Sequence, residues 1–163
     1  MTAEGVMYDW CVLYLAQEVG MPQDQAALGY AAFAGAMAAT RFGGDHLRAR
    51  FTEALLLRAR AGLAAVAMAV VLLSGDPWIS LVGYTLVGAG LAPIVPILYT
   101  AASCVPGTSS AAAIAAASSI GYSGFLVGPP LIGAIAQGWS LTIAMGVVVV
   151  AAAALAIGAR KLG

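Results

Sequence analysis

Glu4 and Asp9 are the residues of this chain best suited to chemistry: two carboxylates in an otherwise apolar stretch, with Tyr8, Trp10 and Tyr14 beside them. A carboxylate in such surroundings can exchange a proton, pair with a cation or hydrogen-bond a polar ligand. At about 100° per residue, five positions turn a helix by about 140°, so the two acids point to different faces and do not form a shared carboxylate pair. Glu4, close to Met1, reads either as an acid at the water boundary or as one lining a polar cavity. Asp9 lies deeper and reads as a functional or a paired group.

Two other runs carry special chemistry. The first is Arg41-Phe-Gly-Gly-Asp45-His46-Leu-Arg48-Ala-Arg50. An acid at the end of a helix, with several guanidiniums in reach, can make charge-assisted bonds that open and close as helices move. The second is Val87-Gly-Ala-Gly-Leu-Ala-Pro-Ile-Val-Pro96, where Pro93 and Pro96 remove backbone donors, bend a helix and leave carbonyls for other partners. Further on, Gly124 and Gly128 at four-residue spacing permit close helix contact, and Pro129 and Pro130 follow directly.

What is missing narrows the field. His46 is the lone histidine, and Cys11 and Cys104 lie far apart, one in an apolar segment and one in a turn-like stretch. They read as free thiols, so neither a metal centre nor a cofactor is expected. No Ser-His or Ser-Lys pair stands in a position that suggests an intramembrane enzyme, and no phosphate-binding loop implies ATP. Net charge is zero with no basic stripe, which excludes nucleic acid as a natural partner.

The elements that hold these residues follow from composition. The chain is 62% hydrophobic and 9% charged, with a mean hydropathy of +0.95. Seven acids and seven bases cannot coat a water-soluble fold of 163 residues, so the apolar excess faces lipid. Lipid leaves backbone groups no water to bond, and long, non-alternating apolar runs then mean helices. The expected spans are 3–19, 25–41, 54–74, 78–101, 110–136 and 140–159, separated by turn chemistry at Gly20-Met21-Pro22, Gly43-Gly44-Asp45, Gly75-Asp76-Pro77, Pro106-Gly107 and Gln137-Gly138. All seven basic residues fall in two places: Arg41, Arg48, Arg50, Arg58 and Arg60 around the second link, Arg160 and Lys161 in the tail. Six crossings put both groups on one side, which the positive-inside rule makes the cytoplasm; five or seven would split them. Trp78 and Trp139 then stand at outer turns, at headgroup depth.

On these residues the sequence resembles the C-terminal six-helix half of a major facilitator superfamily transporter. The run from Arg41 to Arg50 resembles the cytoplasmic glycine–aspartate–basic loop between the second and third helices of each half. Gly128-Pro129-Pro130-Leu-Ile-Gly133 resembles the glycine–proline pattern of the fifth and eleventh helices. Glu4-Gly5 with Asp9-Trp10 looks like the seventh helix of a bacterial branch with sugar-permease-like and rhizopine-permease-like members. The resemblance runs in order over essentially the whole chain.

It implies an all-α membrane fold, half of a twelve-helix protein, with an inverted three-plus-three repeat in each half. The first and fourth spans would line a central cavity, the second and fifth would pack against the other half, and the third and sixth would face outward. It further implies that Arg41, Asp45 and Arg48 gate the cytoplasmic side, and that Glu4, Tyr8, Asp9, Trp10 and Tyr84 contact solute or proton. His46 stands where the family's loop has an arginine or lysine, which weakens the implied gate pairing. The family's seventh helix normally starts well before its Glu-Gly pair, so the resemblance implies that this chain begins inside that helix and that Glu4 lies near midplane. The expected function is gradient-driven transport of a small, polar solute across a bacterial inner membrane. The alternative is a half-transporter or partner subunit with no activity of its own, working with an N-terminal half or another copy.

Overall fold

The computed structural model describes residues 1–48 and 51–159, with side chains described for 1–43 and 51–159. All regular structure among them is helical: α1 (Thr2–Gln17), α2 (Gln23–Arg48), α3 (Glu53–Ser74), α4 (Pro77–Leu91), α5 (Ile94–Ser103), α6 (Ser110–Gly138) and α7 (Leu141–Gly158).

Local chemistry explains most of the boundaries. Gly75 ends α3 at φ 60°, Asp76 caps α4 by accepting from the Trp78 and Ile79 amides at 2.9 Å, and Pro77 occupies the first helical position. Three consecutive residues thus reverse the chain, each in the position its backbone favours. Thr52, Ser109 and Ser140 cap α3, α6 and α7 through their hydroxyls. Gly20, at φ 75°, makes the turn between α1 and α2.

The structure differs from the sequence reading at two elements. α2 does not stop at residue 41; it continues through Gly43, Gly44 and Asp45 to Arg48. Glycine costs a helix about 1 kcal/mol relative to alanine, which weakens a helix without obliging it to end. The region expected as a loop is therefore largely helical, and Ala49 and Arg50 lie outside the described residues, as do Arg160 and Lys161. The fourth expected span is two helices, with the break at Ala92 and Pro93. Pro93 has no N–H to bond the Ala89 carbonyl four residues back; Arg60 on α3 donates to that carbonyl through Nη1 at 3.4 Å.

α1 is the central element, packed against α2, α4, α6 and α7. α4 wedges between α2 and α3, α3 packs along α7, and α5 lies against α6. The core joins Cys11, Tyr14 and Leu15 of α1 to Met68 and Val71 of α3, Tyr84 and Val87 of α4, and Met145 and Val148 of α7. Close approach is made possible by glycine. Gly83 and Gly90 meet α3, where a Cβ on Gly90 would stand 2.7 Å from the Arg60 carbonyl; Gly88, on the opposite face of α4, meets the backbone of α2 at Phe33.

The outer surface is apolar. Phe42, Leu73, Ile120, Leu126 and Val150 are exposed, and Trp78 and Trp139 project at helix ends. α6 buries only Gly128 and Ile132 along its 29 residues. Four helical stretches are long and apolar enough to cross a bilayer: Glu53–Ser74, Pro77–Ser103, Ser110–Gly138 and Leu141–Gly158. Apolar exposure on this scale belongs to a surface solvated by lipid.

Candidate functional site

The open face of α1 gathers three of the five candidate solute or proton contacts, Tyr8, Asp9 and Trp10. Asp9, Leu13 and Gln17, at four-residue spacing, are its exposed stripe. Tyr8 turns to one side of that stripe, toward α2: its hydroxyl donates to Met37 Sδ at 3.4 Å, its ring meets Phe33 edge-on at 5.2 Å, and it tilts against Tyr30 at 5.7 Å. Trp10 turns to the other side, where its ring lies along α6 and would touch a Cβ on Gly133 at 3.5 Å. Asp9 therefore projects between α2 and α6, which flank α1 and make no substantial contact with each other. The Trp10 Nε1 is buried without a hydrogen-bond partner among the described residues.

Glu4 does lie on a different face from Asp9. It is buried, and its Oε1 accepts from Arg41 Nη2 at 3.2 Å; the Met1 amino group stands 3.3 Å from Oε2. Arg41 thus bonds an acid on α1, 37 positions away in sequence, and ties the start of α1 to the far part of α2. Asp45 and Arg48 lie within α2 beyond it, one and two turns on, and their side chains are outside the described residues. Glu4 is also the charged residue among those lining an apolar cavity of about 500 Å³, walled by Leu91 and Ile94 at the α4–α5 break, Ile120 on α6 and Leu155 on α7.

Tyr84 does not join the Asp9 group. It is wholly buried, and its hydroxyl donates to the Cys11 carbonyl at 3.4 Å. Pro93 sits at the α4–α5 break and Pro96 in the first turn of α5, while α6 runs through Pro129 and Pro130 as one helix. Gly128 meets Thr2 and Val6, with a Cβ there 3.2 Å from Thr2 Cγ2, so the small residues of α6 seat the start of α1. Both cysteines are free, Cys11 buried and Cys104 exposed.

Glu18 is a residue that sequence reasoning missed. It follows α1 directly, and its carboxylate caps α7: Oε1 accepts from the Leu141 amide at 2.9 Å and Oε2 from the Thr142 hydroxyl at 3.1 Å. The partners lie 123 and 124 residues away, so the only local signal is an acid set before a Gly-x-Pro turn with nothing nearby to bond. An anion at a helix N-terminus is favoured by both the free amides and the helix dipole. Glu18→Ala is expected to cost about 1–2 kcal/mol, since the bonds from the Leu141 amide and the Thr142 hydroxyl are both lost while the Ser140 cap remains. Glu18→Gln, which keeps an acceptor, should cost less than half of that. Thermal unfolding of the purified chain in detergent checks the order.

α1 is thus fastened at both ends by carboxylates, to α2 through Glu4 and to α7 through Glu18, and leaves an acid exposed between them. Together with the apolar exterior, this defines a multi-pass helical membrane protein with a polar stripe on its central helix. The chain is homologous to MFS-type transporters over nearly its whole length. It is 36% identical over 160 residues to an uncharacterised MFS-type transporter of Yersinia pestis, a match covering 98% of this chain and 42% of that protein. It is 34% identical over 158 residues to the membrane protein MosC of Rhizobium meliloti, covering 93% of this chain and 39% of MosC. An uncharacterised transporter of Sinorhizobium fredii is 29% identical over 154 residues, with 94% and 41% covered. The chain spans about two fifths of the length of these relatives. No family model and no solved structure matches it.

Proposed function

We propose that this chain forms one six-span half of a gradient-driven, alternating-access transporter of a small polar solute, set in a bacterial inner membrane with both ends of the half cytoplasmic. The observation that carries this reading is the packing order. Exchanging α1 with α4–α5, α2 with α6 and α3 with α7 converts the α1–α2 contact into α5–α6, α2–α4 into α6–α1, and α3–α4 into α7–α1, with α3–α7 on the axis. The α6–α7 contact alone lacks a counterpart of similar extent between α2 and α3; the other pairings are those of an inverted three-plus-three repeat. α1 then lines the central cavity, and the open faces of α2 and α6 receive the opposing half.

In this scheme Asp9, Tyr8 and Trp10 face the solute, and Tyr84 holds α4 to α1 behind them. The Glu4–Arg41 bond closes the cytoplasmic end, and Asp45 and Arg48, one and two turns further along α2, are assigned to the same gate. In the same scheme the cavity is completed by an N-terminal half or by a second copy.

Two measurements test the scheme. In intact cells, an impermeant maleimide should label Gly75→Cys directly, and the native Cys104 only after permeabilisation; the reverse pattern would overturn the orientation. In proteoliposomes with an imposed proton gradient, a panel of labelled polar solutes should be taken up when the chain is paired with the N-terminal half of the Yersinia pestis relative. Uptake by the chain at low protein-to-lipid ratio, where it is monomeric, would refute the need for a partner, and no uptake in any pairing would refute transport.

A further inference from the structure

The surroundings of Asp9 are specific about charge. Among the described residues the Asp9 carboxylate has no ion pair or hydrogen bond, and it stands midway along a helix at the centre of the bundle. The next acid on α1, Glu4, is already neutralised by Arg41 and the Met1 amino group. The open face of α1 therefore keeps one uncompensated negative charge. Aromatic rings stand on both sides of it. Tyr8 and Tyr30 meet at 5.7 Å on the α2 side, with Tyr30 45% exposed. Trp10 lies on the α6 side, and Phe125 of α6 covers Gly5, one helical turn before Asp9, close enough that a Cβ there would come within 3.1 Å of its ring.

An unpaired carboxylate at membrane depth costs several kcal/mol, and the ligand that offsets this cost is a cation. Aromatic faces carry partial negative charge and add to the same preference, most strongly for ammonium groups clad in alkyl carbons. Hard metal ions want six or more oxygens, and no group of three His, Cys, Asp or Glu side chains able to hold a metal exists among the described residues. We propose that the open face of α1 centred on Asp9 binds a small organic ammonium ion, with its charge on the Asp9 carboxylate and its carbons against Tyr8, Tyr30, Trp10 and Phe125. This rests on the reading that the face is the solute face, and it assigns that solute a class: organic monocations, in preference to neutral or anionic molecules.

The test uses the purified full chain in lipid nanodiscs. Trp78 and Trp139 are surface residues, 73% and 75% exposed, so the Trp78→Phe/Trp139→Phe background leaves Trp10 as the single fluorescent reporter. The probes are choline, its neutral isostere 3,3-dimethyl-1-butanol, and sorbitol. Choline should change the Trp10 emission saturably in the millimolar range; the isostere should not. Asp9→Asn should weaken choline by about tenfold or more and Tyr30→Ala by several-fold, with helical content unchanged by circular dichroism; Asp9→Glu should retain part of the response. Equal binding of choline and its isostere, or full choline binding by Asp9→Asn, would overturn the charge assignment. A saturable response to sorbitol but not to choline would do the same while leaving a solute face in place. No saturable response to any probe up to about 100 mM, an affinity near 1.4 kcal/mol, would remove the face as a binding site, whatever the topology and uptake experiments show.

Discussion

Gly88→Ala is expected to destabilise the chain by about 3 kcal/mol, the upper part of the range for overpacking a tight contact. A methyl group at this position overlaps the Phe33 carbonyl oxygen and would lie 3.1 Å from the Phe33 carbon and 3.3 Å from the Met37 amide nitrogen. All three are backbone atoms of α2, so no side-chain rotation relieves the overlap. Either α2 moves away from α4 or α4 turns, and a turn would drive Gly90, on the other face, into the Arg60 carbonyl and Ala64 of α3. α4 is held on both flanks, which is why a single methyl should be felt through three helices. Gly35 supplies the control. It lies on the open face of α2 with nothing within 4 Å of a Cβ, so Gly35→Ala should stabilise slightly, by up to about 1 kcal/mol of helix propensity. Opposite signs for the same chemical change, read from thermal unfolding in one detergent, are the result to look for. Equal effects would mean that α2 and α4 are not in contact.

The second large effect concerns the ion pair that joins α1 to α2. Arg41→Ala should cost about 1–2 kcal/mol. A buried pair broken from one side costs several kcal/mol because the remaining charge is stranded. Here the Glu4 side chain is 9% exposed but Arg41 is 50% exposed, so solvent screens much of the interaction and the figure must be reduced accordingly. The Met1 amino group, 3.3 Å from the same carboxylate, reduces it further. Glu4→Gln in the Arg41→Ala background should restore part of the loss, since no buried charge is then left uncompensated. A double-mutant cycle on the melting temperature measures the coupling. If the two changes simply add, the 3.2 Å contact is not an energetic one, and the cytoplasmic latch assigned to it falls.

These expectations show which parts of the molecule were readable from residue order. The Gly75-Asp76-Pro77 turn was legible because each residue acts on its own backbone: a left-handed stop, a cap and a start. The boundaries of α3, α6 and α7 lie within two residues of those expected, for the same reason. The end of α2 was not legible. A Gly-Gly-Asp run is compatible with a loop and with a weakened helix, and the choice lies outside the local sequence. Arg60 was read as one of the positive charges that set orientation; its bond to the carbonyl orphaned by Pro93 depends on α3 and α4 being in register, which nothing in either segment specifies.

Residue order alone determined the solvent of this protein and its helical class. With so few charges and so many apolar side chains, only lipid can surround it, and lipid admits a backbone only when its hydrogen bonds close within helices. It also placed Glu4 and Asp9 on different faces, because helical rotation is a constant of the backbone. Tertiary structure alone decided which groups meet: Glu4 with Arg41, Glu18 with the start of α7, Tyr84 with the Cys11 carbonyl, and Asp9 with no partner among the described residues. Those outcomes depend on how each helix is turned and how closely its glycines let a neighbour approach. Such contacts join residues tens to more than a hundred positions apart, where periodicity and turn chemistry no longer reach.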